Sequence, residues 1–281
     1  MSNKLILVTG ANRGIGRGIT EGLSEKGNHI IMICRNTQNG EKVRKEILRK
    51  RDNTSIEVLE GDLSSIRTVK DLGTRILNKY DKIDAVIHNA GIWPCELSLN
   101  EDGLESAFMV NHIAPLLLNH LLLPTLKKSA PSRIILVNAG LYPRGHFEVE
   151  LTPYGKDFSK LKTYMNSKFC NILYMRKFAS LMDGSGVIIN AVHPGVIRTG
   201  LGDFKGFIGV FLRIARIFQK PISTGALGPI NLAINPKITT NGSYYDRLIE
   251  KPFTENVLNE ELADLLWDTS LQVCNIEKYK F

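Results

Sequence analysis

Tyr164 and Lys168, in the stretch Tyr164-Met165-Asn166-Ser167-Lys168, are the residues whose types and spacing most directly suggest chemistry. The run from Ser159 to Asp183 predicts a long helix, on which a spacing of four puts both side chains on one face, one turn apart. A phenol with a pKa of about 10 is a poor proton donor at neutral pH. A neighbouring ammonium stabilises the phenolate, so Lys168 is expected to lower that pKa toward the range general acid/base catalysis needs. Most isolated Tyr-x-x-x-Lys pairs are ordinary surface or core neighbours, so the upstream residues decide.

Leu5 to Val8 reads as a short strand that ends at Thr9-Gly10-Ala11-Asn12-Arg13-Gly14-Ile15-Gly16. A helical segment follows to about Lys26, with Gly27 as its stop. Strand, glycine-rich turn and helix form the context in which a turn binds phosphate. Gly10 allows the tight turn, Gly14 lets the backbone approach a pyrophosphate, and Gly16 permits close packing of helix on strand. A plain strand-to-helix turn is the bland alternative. The next strand, His29 to Ile33, leads into Cys34-Arg35-Asn36, where an NAD site usually places an acid for the ribose hydroxyls. No acid stands there. Arg35, with Arg13 as its partner, instead suits a 2′-phosphate, so the cofactor is expected to be NADP(H). Asp62, in Gly61-Asp62-Leu63, is placed to reach an adenine edge or to cap the helix expected over Ser65 to Tyr80. Asn89-Ala90-Gly91, after a strand at Asp84 to His88, is small enough to lie against a cofactor ribose.

The elements that must position these residues alternate strand and helix. Besides those already named they include a basic helix at Asn39 to Arg51 and strands at Ser55 to Glu60, Arg133 to Val137 and Val187 to Val192. At 281 residues the chain has ample length for a buried core. Its net charge of +8 is spread along the sequence and interleaved with acids, which reads as a solvated surface and argues against nucleic acid. The four cysteines form no Cys-x-x-Cys pair, which argues against a zinc site and a disulfide framework and suits a reducing compartment. Strand-like residues begin at Lys4, so no signal peptide is expected, and no run of about 20 apolar residues is read that would span a bilayer. The expected compartment is the cytoplasm.

Thr9-Gly-Ala-Asn-Arg-Gly-Ile-Gly16, Asp62-Leu63, Asn89-Ala-Gly91 and Tyr164-x-x-x-Lys168 stand in the order and spacing of the short-chain dehydrogenase/reductases, which this chain resembles from about residue 3 to residue 250. Asn100-Glu-Asp-Gly-Leu-Glu105, Val110-Asn-His112, Leu116 to Pro124 and His193-Pro-Gly-Val-Ile-Arg-Thr199 narrow the resemblance to the retinol-dehydrogenase-like branch. It implies one doubly wound α/β domain, a Rossmann-type, mostly parallel sheet of about seven strands with helices on both faces. It also implies oxidation or reduction between an apolar alcohol and its aldehyde or ketone. Tyr164 would give or take the proton and Lys168 would bind the cofactor ribose. The Asn111 side chain would hold a relay water, and Pro194, Gly195, Val196 and Thr199 would pack beside the nicotinamide. Relatives that dimerise use the two helices carrying Asn111 and Tyr164, so a homodimer is among the expectations.

The resemblance fails at the fifth strand. Relatives carry a carbonyl-binding Ser six residues after the strand-opening Arg, and counting from Arg133 gives Ala139. Losing such a donor typically costs on the order of 10²–10³ in rate. Three readings stay open: an engineered Ser→Ala variant, a divergent enzyme in which Asn138 or Tyr142 supplies the donor, or a protein that binds NADPH without turnover. Beyond it, Gly202 to Lys220 carries an apolar stripe that includes Phe204, Phe207 and Phe211, opposite basic residues such as Lys205 and Arg213. This pattern reads as a lid over an apolar substrate, as an ordinary core helix, or as a helix resting peripherally on an anionic membrane surface. Ser223 to Ile234 resembles the small-residue helix that follows in the branch and Gly242 to Tyr245 its last strand, and Glu255 to Val273, with its leucines, predicts a closing helix.

Overall fold

A computed structural model describes residues 3–50, 55–196, 221–277 and 279. Its strands are β1 (Leu5–Thr9), β2 (His29–Cys34), β3 (Ser55–Glu60), β4 (Ala85–His88), β5 (Ser132–Val137), β6 (Val187–His193), β7 (Tyr244–Asp246) and β8 (Ile249–Lys251). They form one sheet in the order β3-β2-β1-β4-β5-β6-β7-β8, parallel except for the antiparallel β7–β8 pair. The helices are α1 (Gly14–Ser24), α2 (Thr37–Leu48), α3 (Ile66–Lys79), α4 (Ser106–Lys128), α5 (Lys160–Leu181), α6 (Ile222–Ile234) and α7 (Glu260–Val273).

Alternate strand residues feed two separate apolar layers, because successive side chains in a strand point to opposite faces. Ile6 and Val8 of β1 join Ile19 and Leu23 of α1 and Ala226 and Ile230 of α6. Leu7, between them, faces the opposite layer with Val69, Leu72 and Ile76 of α3 and Leu116 and Leu117 of α4. The α3 residues are fully buried, and each contributes roughly 1.5–3 kcal/mol relative to exposure. Ser65 caps α3 through a reciprocal bond with Thr68, and Asp102 accepts from the Ile66 N–H at 2.9 Å.

The doubly wound, mostly parallel sheet follows the sequence expectation, with eight strands in place of about seven. The extra strand, β8, follows a two-residue turn in which Arg247 takes φ 60°. Three residues without an Asn-Gly or Asp-Gly turn leave too little local pattern to read as a hairpin. The closing helix begins later than expected, at Glu260, after a separate short turn at Glu255–Val257.

α4 is the one helix among the described residues long and apolar enough to cross a membrane by length and composition. It is mostly buried in the layer beneath the sheet, as a core helix. Glu105, itself fully buried, caps it by accepting from the Ala107 and Phe108 N–H groups. The Asn100 side-chain oxygen gathers the Asp102 and Leu104 N–H groups just before it. The Asn100–Glu105 stretch thus aims α4.

The groove between α4 and α5 is filled by the chain's own C-terminal segment. Arg176 and Lys177 of α5 pair with Glu260 and Asp264 of α7. Tyr279 donates to the Leu116 carbonyl at 3.2 Å and packs against His120, Phe178 and Trp267. The homodimer expectation used these two helices, and this part of their outer face is covered intramolecularly.

Candidate active site

The chain reverses its direction of travel across the sheet between β1 and β4, and the crevice at their carboxyl ends is where α/β folds place ligands. Thr9 and Asn89 tie the two strand ends together. The Thr9 hydroxyl accepts from the Asn89 and Ala90 N–H groups, both at 3.0 Å. The Asn89 amide donates to the Thr9 and Gly10 carbonyls at 2.9 and 3.2 Å. Gly10 and Gly14 hold φ at +63° and +51°, the left-handed region that favours glycine. At Gly16 a Cβ would fall 2.3 Å from the Gly10 carbonyl oxygen, so no larger residue fits. Arg13 is the N-cap of α1 but makes no side-chain cap, and no acid lies in the first turn. The first N–H groups of α1 therefore point into the crevice without an acidic competitor, as a phosphate site requires.

At the end of β2, Cys34 is buried and its thiol is pushed up to about 11, chiefly by desolvation, which makes it a packing residue. Arg35 and Arg13 are exposed, and among the described residues neither makes an ion pair. Asn12 and Ile15 are partly buried in the turn between β1 and α1. Asp62 accepts from the Ser64 N–H at 3.0 Å, closing a local turn, while Ser65 takes the cap of α3. The capping role read for Asp62 is thereby corrected. Leu63 beside it is buried.

Lys168 and Asn111 meet beneath Gly91, with Tyr164 beside Lys168. A Cβ on Gly91 would lie 3.3 Å from the Asn111 side-chain oxygen and 3.7 Å from the Lys168 ammonium. Lys168 donates to the Val137 carbonyl at 3.1 Å and stands 5.8 Å from the centre of the Tyr164 ring. Asn111 lies in a π-helical turn, Met109–Ile113, within α4. Such turns interrupt the regular hydrogen-bond ladder and recur at functional sites. Its side chain accepts from the Ile92 N–H at 2.8 Å and donates to the Ile92 carbonyl and the Ser167 hydroxyl, each at 2.9 Å. Both of its amide N–H groups are thus committed to protein groups. Ser167, which the sequence reading passed over, donates in turn to the Tyr164 carbonyl at 2.8 Å and joins α4 to α5 beside the tyrosine.

Burial dominates the electrostatics. Desolvation pushes the Tyr164 phenol up from its ordinary value and lowers Lys168 to about 8. The anticipated lowering of the tyrosine by the lysine is therefore overruled in the protein alone, because removing both groups from water acts on each more strongly than they act on one another. A Lys pKa near 8 in the folded state against 10.5 in the open chain means that stability rises with pH between those values and is lost as pH falls through the folded pKa. Lys168→Met is expected to stabilise the cofactor-free protein at pH 7 by about 2–3 kcal/mol while removing activity. Urea unfolding at pH 7 and pH 10 measures this, and the gain should shrink at the higher pH.

Around Ala139 the backbone is occupied. The Asn138 side-chain oxygen accepts from the Ala139 N–H at 2.8 Å, and its side-chain amide nitrogen donates to the Lys168 backbone carbonyl at 3.1 Å. Asn138 therefore fastens β5 to α5. Tyr142 is buried with its ring edge-on to Tyr244 at 4.8 Å. Pro194, Gly195 (φ +91°) and the exposed Val196 follow β6, whereas Thr199, Phe204, Phe207 and Phe211 lie outside the described residues. A contact that no local pattern announced lies over the tyrosine, where the Trp93 indole stacks on the Tyr164 ring at 4.4 Å and 7°.

Comparison with known proteins adds a lineage to this geometry. The family model described as short chain dehydrogenase matches residues 4–205. The chain is 34% identical over 293 residues to mouse (Mus musculus) retinol dehydrogenase 14, with 99% of this chain and 88% of that protein covered. In fold it is similar to an uncharacterized protein of Mycobacterium Paratuberculosis, with TM-score 0.81, 23% identity and coverage of 100% and 96%. It is also similar to a short chain dehydrogenase of Shigella flexneri complexed with NADP, with TM-score 0.68, 21% identity and coverage of 89% and 98%.

Proposed function

The chain belongs to the short-chain dehydrogenase family, in its retinol-dehydrogenase-like branch, and from that premise we propose that it is an NADP(H)-dependent oxidoreductase interconverting an apolar alcohol and its aldehyde or ketone. The observation that carries this is the convergence of Lys168 and Asn111 beneath Gly91, with Tyr164 beside Lys168, at the mouth of a phosphate-ready crevice. Bound there, a nicotinamide supplies or accepts the hydride. Tyr164 gives the proton to the carbonyl oxygen in reduction and takes it in oxidation. Lys168 holds the phenol's surroundings positive and offers its ammonium to the cofactor ribose. Asn111 fixes the Ile92 backbone and, through Ser167, the turn of α5 that carries Tyr164. Retinoids, steroids, fatty aldehydes and secondary-metabolite ketones fit the class, and the retinol dehydrogenase relative places retinoids among the first to test.

The preference for NADP(H) rests on Arg35 and Arg13, which are exposed and make no ion pair among the described residues, and on the missing acid after β2. The relative complexed with NADP is in keeping with it. A charge-assisted bond to a 2′-phosphate contributes about 1.5–3 kcal/mol, so Arg35→Ala is expected to reduce the ratio of NADPH to NADH affinity by roughly 10- to 100-fold. Fluorescence titration with both cofactors measures it, and an unchanged ratio would remove Arg35 from the site.

Ala139 favours a second reading, a weakly catalytic NADPH-binding protein with a regulatory or scaffold role. Single-turnover mixing with NADPH and a panel of apolar carbonyls separates the two. NADPH binding with no oxidation, in both this chain and Ala139→Ser, would overturn the enzyme. The same proposal places the protein in the cytoplasm, where its four free cysteines stay reduced. Any peripheral contact with lipid would be through residues 202–220.

A further inference from the structure

Trp93 has no part in the proton and cofactor roles above, yet it is fixed at both ends. Its backbone follows Ile92, which Asn111 grips by both N–H and carbonyl. Its indole N–H donates to the Lys160 carbonyl in the first turn of α5, the helix that carries Tyr164 one turn on. Between these anchors the indole lies flat on the Tyr164 ring at 4.4 Å, with the planes 7° apart. Tyr164 is 6% exposed, while Trp93 is only partly buried, so the indole forms the outer layer of the stack. One face of the phenol is closed by this ring, and a carbonyl must approach along the aromatic wall that remains.

We propose that Trp93 is a specificity-determining residue, its ring over Tyr164 selecting substrates whose carbonyl is joined to a flat, conjugated carbon skeleton. This rests on the oxidoreductase reading. Offset and parallel contact with an aromatic ring rewards a rigid planar partner, which loses little conformational freedom on binding, more than a saturated chain of equal length. A role limited to anchoring the loop after Gly91 would give no such selection.

The test pairs trans,trans-2,4-decadienal with decanal, equal in length, followed by NADPH oxidation. The wild-type protein is expected to show a KM for the dienal lower by about tenfold or more. Trp93→Ala should erase that preference by raising the dienal's KM with little change in kcat. Trp93→Phe, which keeps a ring over Tyr164, should largely restore it. A second readout needs no turnover. The chain has two tryptophans, so Trp267→Phe leaves Trp93 as the only indole, and its emission in the NADP⁺ complex should be quenched by the dienal and not by decanal. Turnover of both aldehydes without preference or selective quenching would overturn the wall while leaving the oxidoreductase intact. Selective quenching with no turnover by any variant would support the wall and sink the oxidoreductase reading instead.

Discussion

Tyr164→Phe is expected to lower kcat/KM for carbonyl reduction by about 10²–10⁴-fold, the usual contribution of a positioned proton donor. NADPH affinity should change by no more than about twofold, because the substitution removes one oxygen and keeps the ring that stacks on Trp93. The phenol is buried and its pKa is held above the ordinary value, so at neutral pH it carries its proton and is loaded as an acid. Oxidation, which needs the phenolate, is therefore expected to accelerate as pH rises, and reduction to slow. Steady-state rates in both directions across pH, for both proteins, check the assignment. A variant within about tenfold of the parent would mean that another group moves the proton.

Ala139→Ser is expected to raise kcat/KM by roughly 10²–10³, the magnitude associated with one donor to a developing oxyanion. The structure narrows what could stand in for that donor. Asn138 is committed to the Ala139 N–H and the Lys168 carbonyl, so it cannot turn toward a substrate without releasing β5 from α5. Tyr142 is buried against Tyr244. A substrate carbonyl would then be polarised mainly by Tyr164, and restoring a hydroxyl at residue 139 should act on kcat more than on KM. Active protein whose rate is unchanged by the substitution would mean that a donor other than residue 139 already serves, with Tyr142 the next to replace.

Much of the site was legible because its signals are local. Thr9 to Gly16 can be read as a phosphate turn from glycine spacing alone, since the positive φ values at Gly10 and Gly14 and the close approach at Gly16 are demands that few other residues meet. Tyr164 and Lys168 share a helical face by periodicity, and the missing acid after β2 is visible as an absence at a fixed place. β8 and the Trp93 stack were not legible. The first is too short to carry a period, and the second joins residues 71 positions apart, Trp93 and Tyr164. The same limit applied to partners. Asn111 and Asn138 were singled out as polar residues near the chemistry, but which groups they bind was set by Ile92, Ser167 and Lys168, distant in the chain.

Residue type and order determined which groups are present and which elements carry them. A phenol and an amine stand one helical turn apart, two arginines replace an acid, and Ala139 replaces a hydroxyl. Tertiary structure decided their state. From residue types, Lys168 was expected to pull the Tyr164 pKa down. In the folded chain both are stripped of water, and the phenol is pushed up while the amine falls to about 8. Desolvation depends on everything packed around a group, Trp93 and Val137 included, and so on contacts that no stretch of sequence contains.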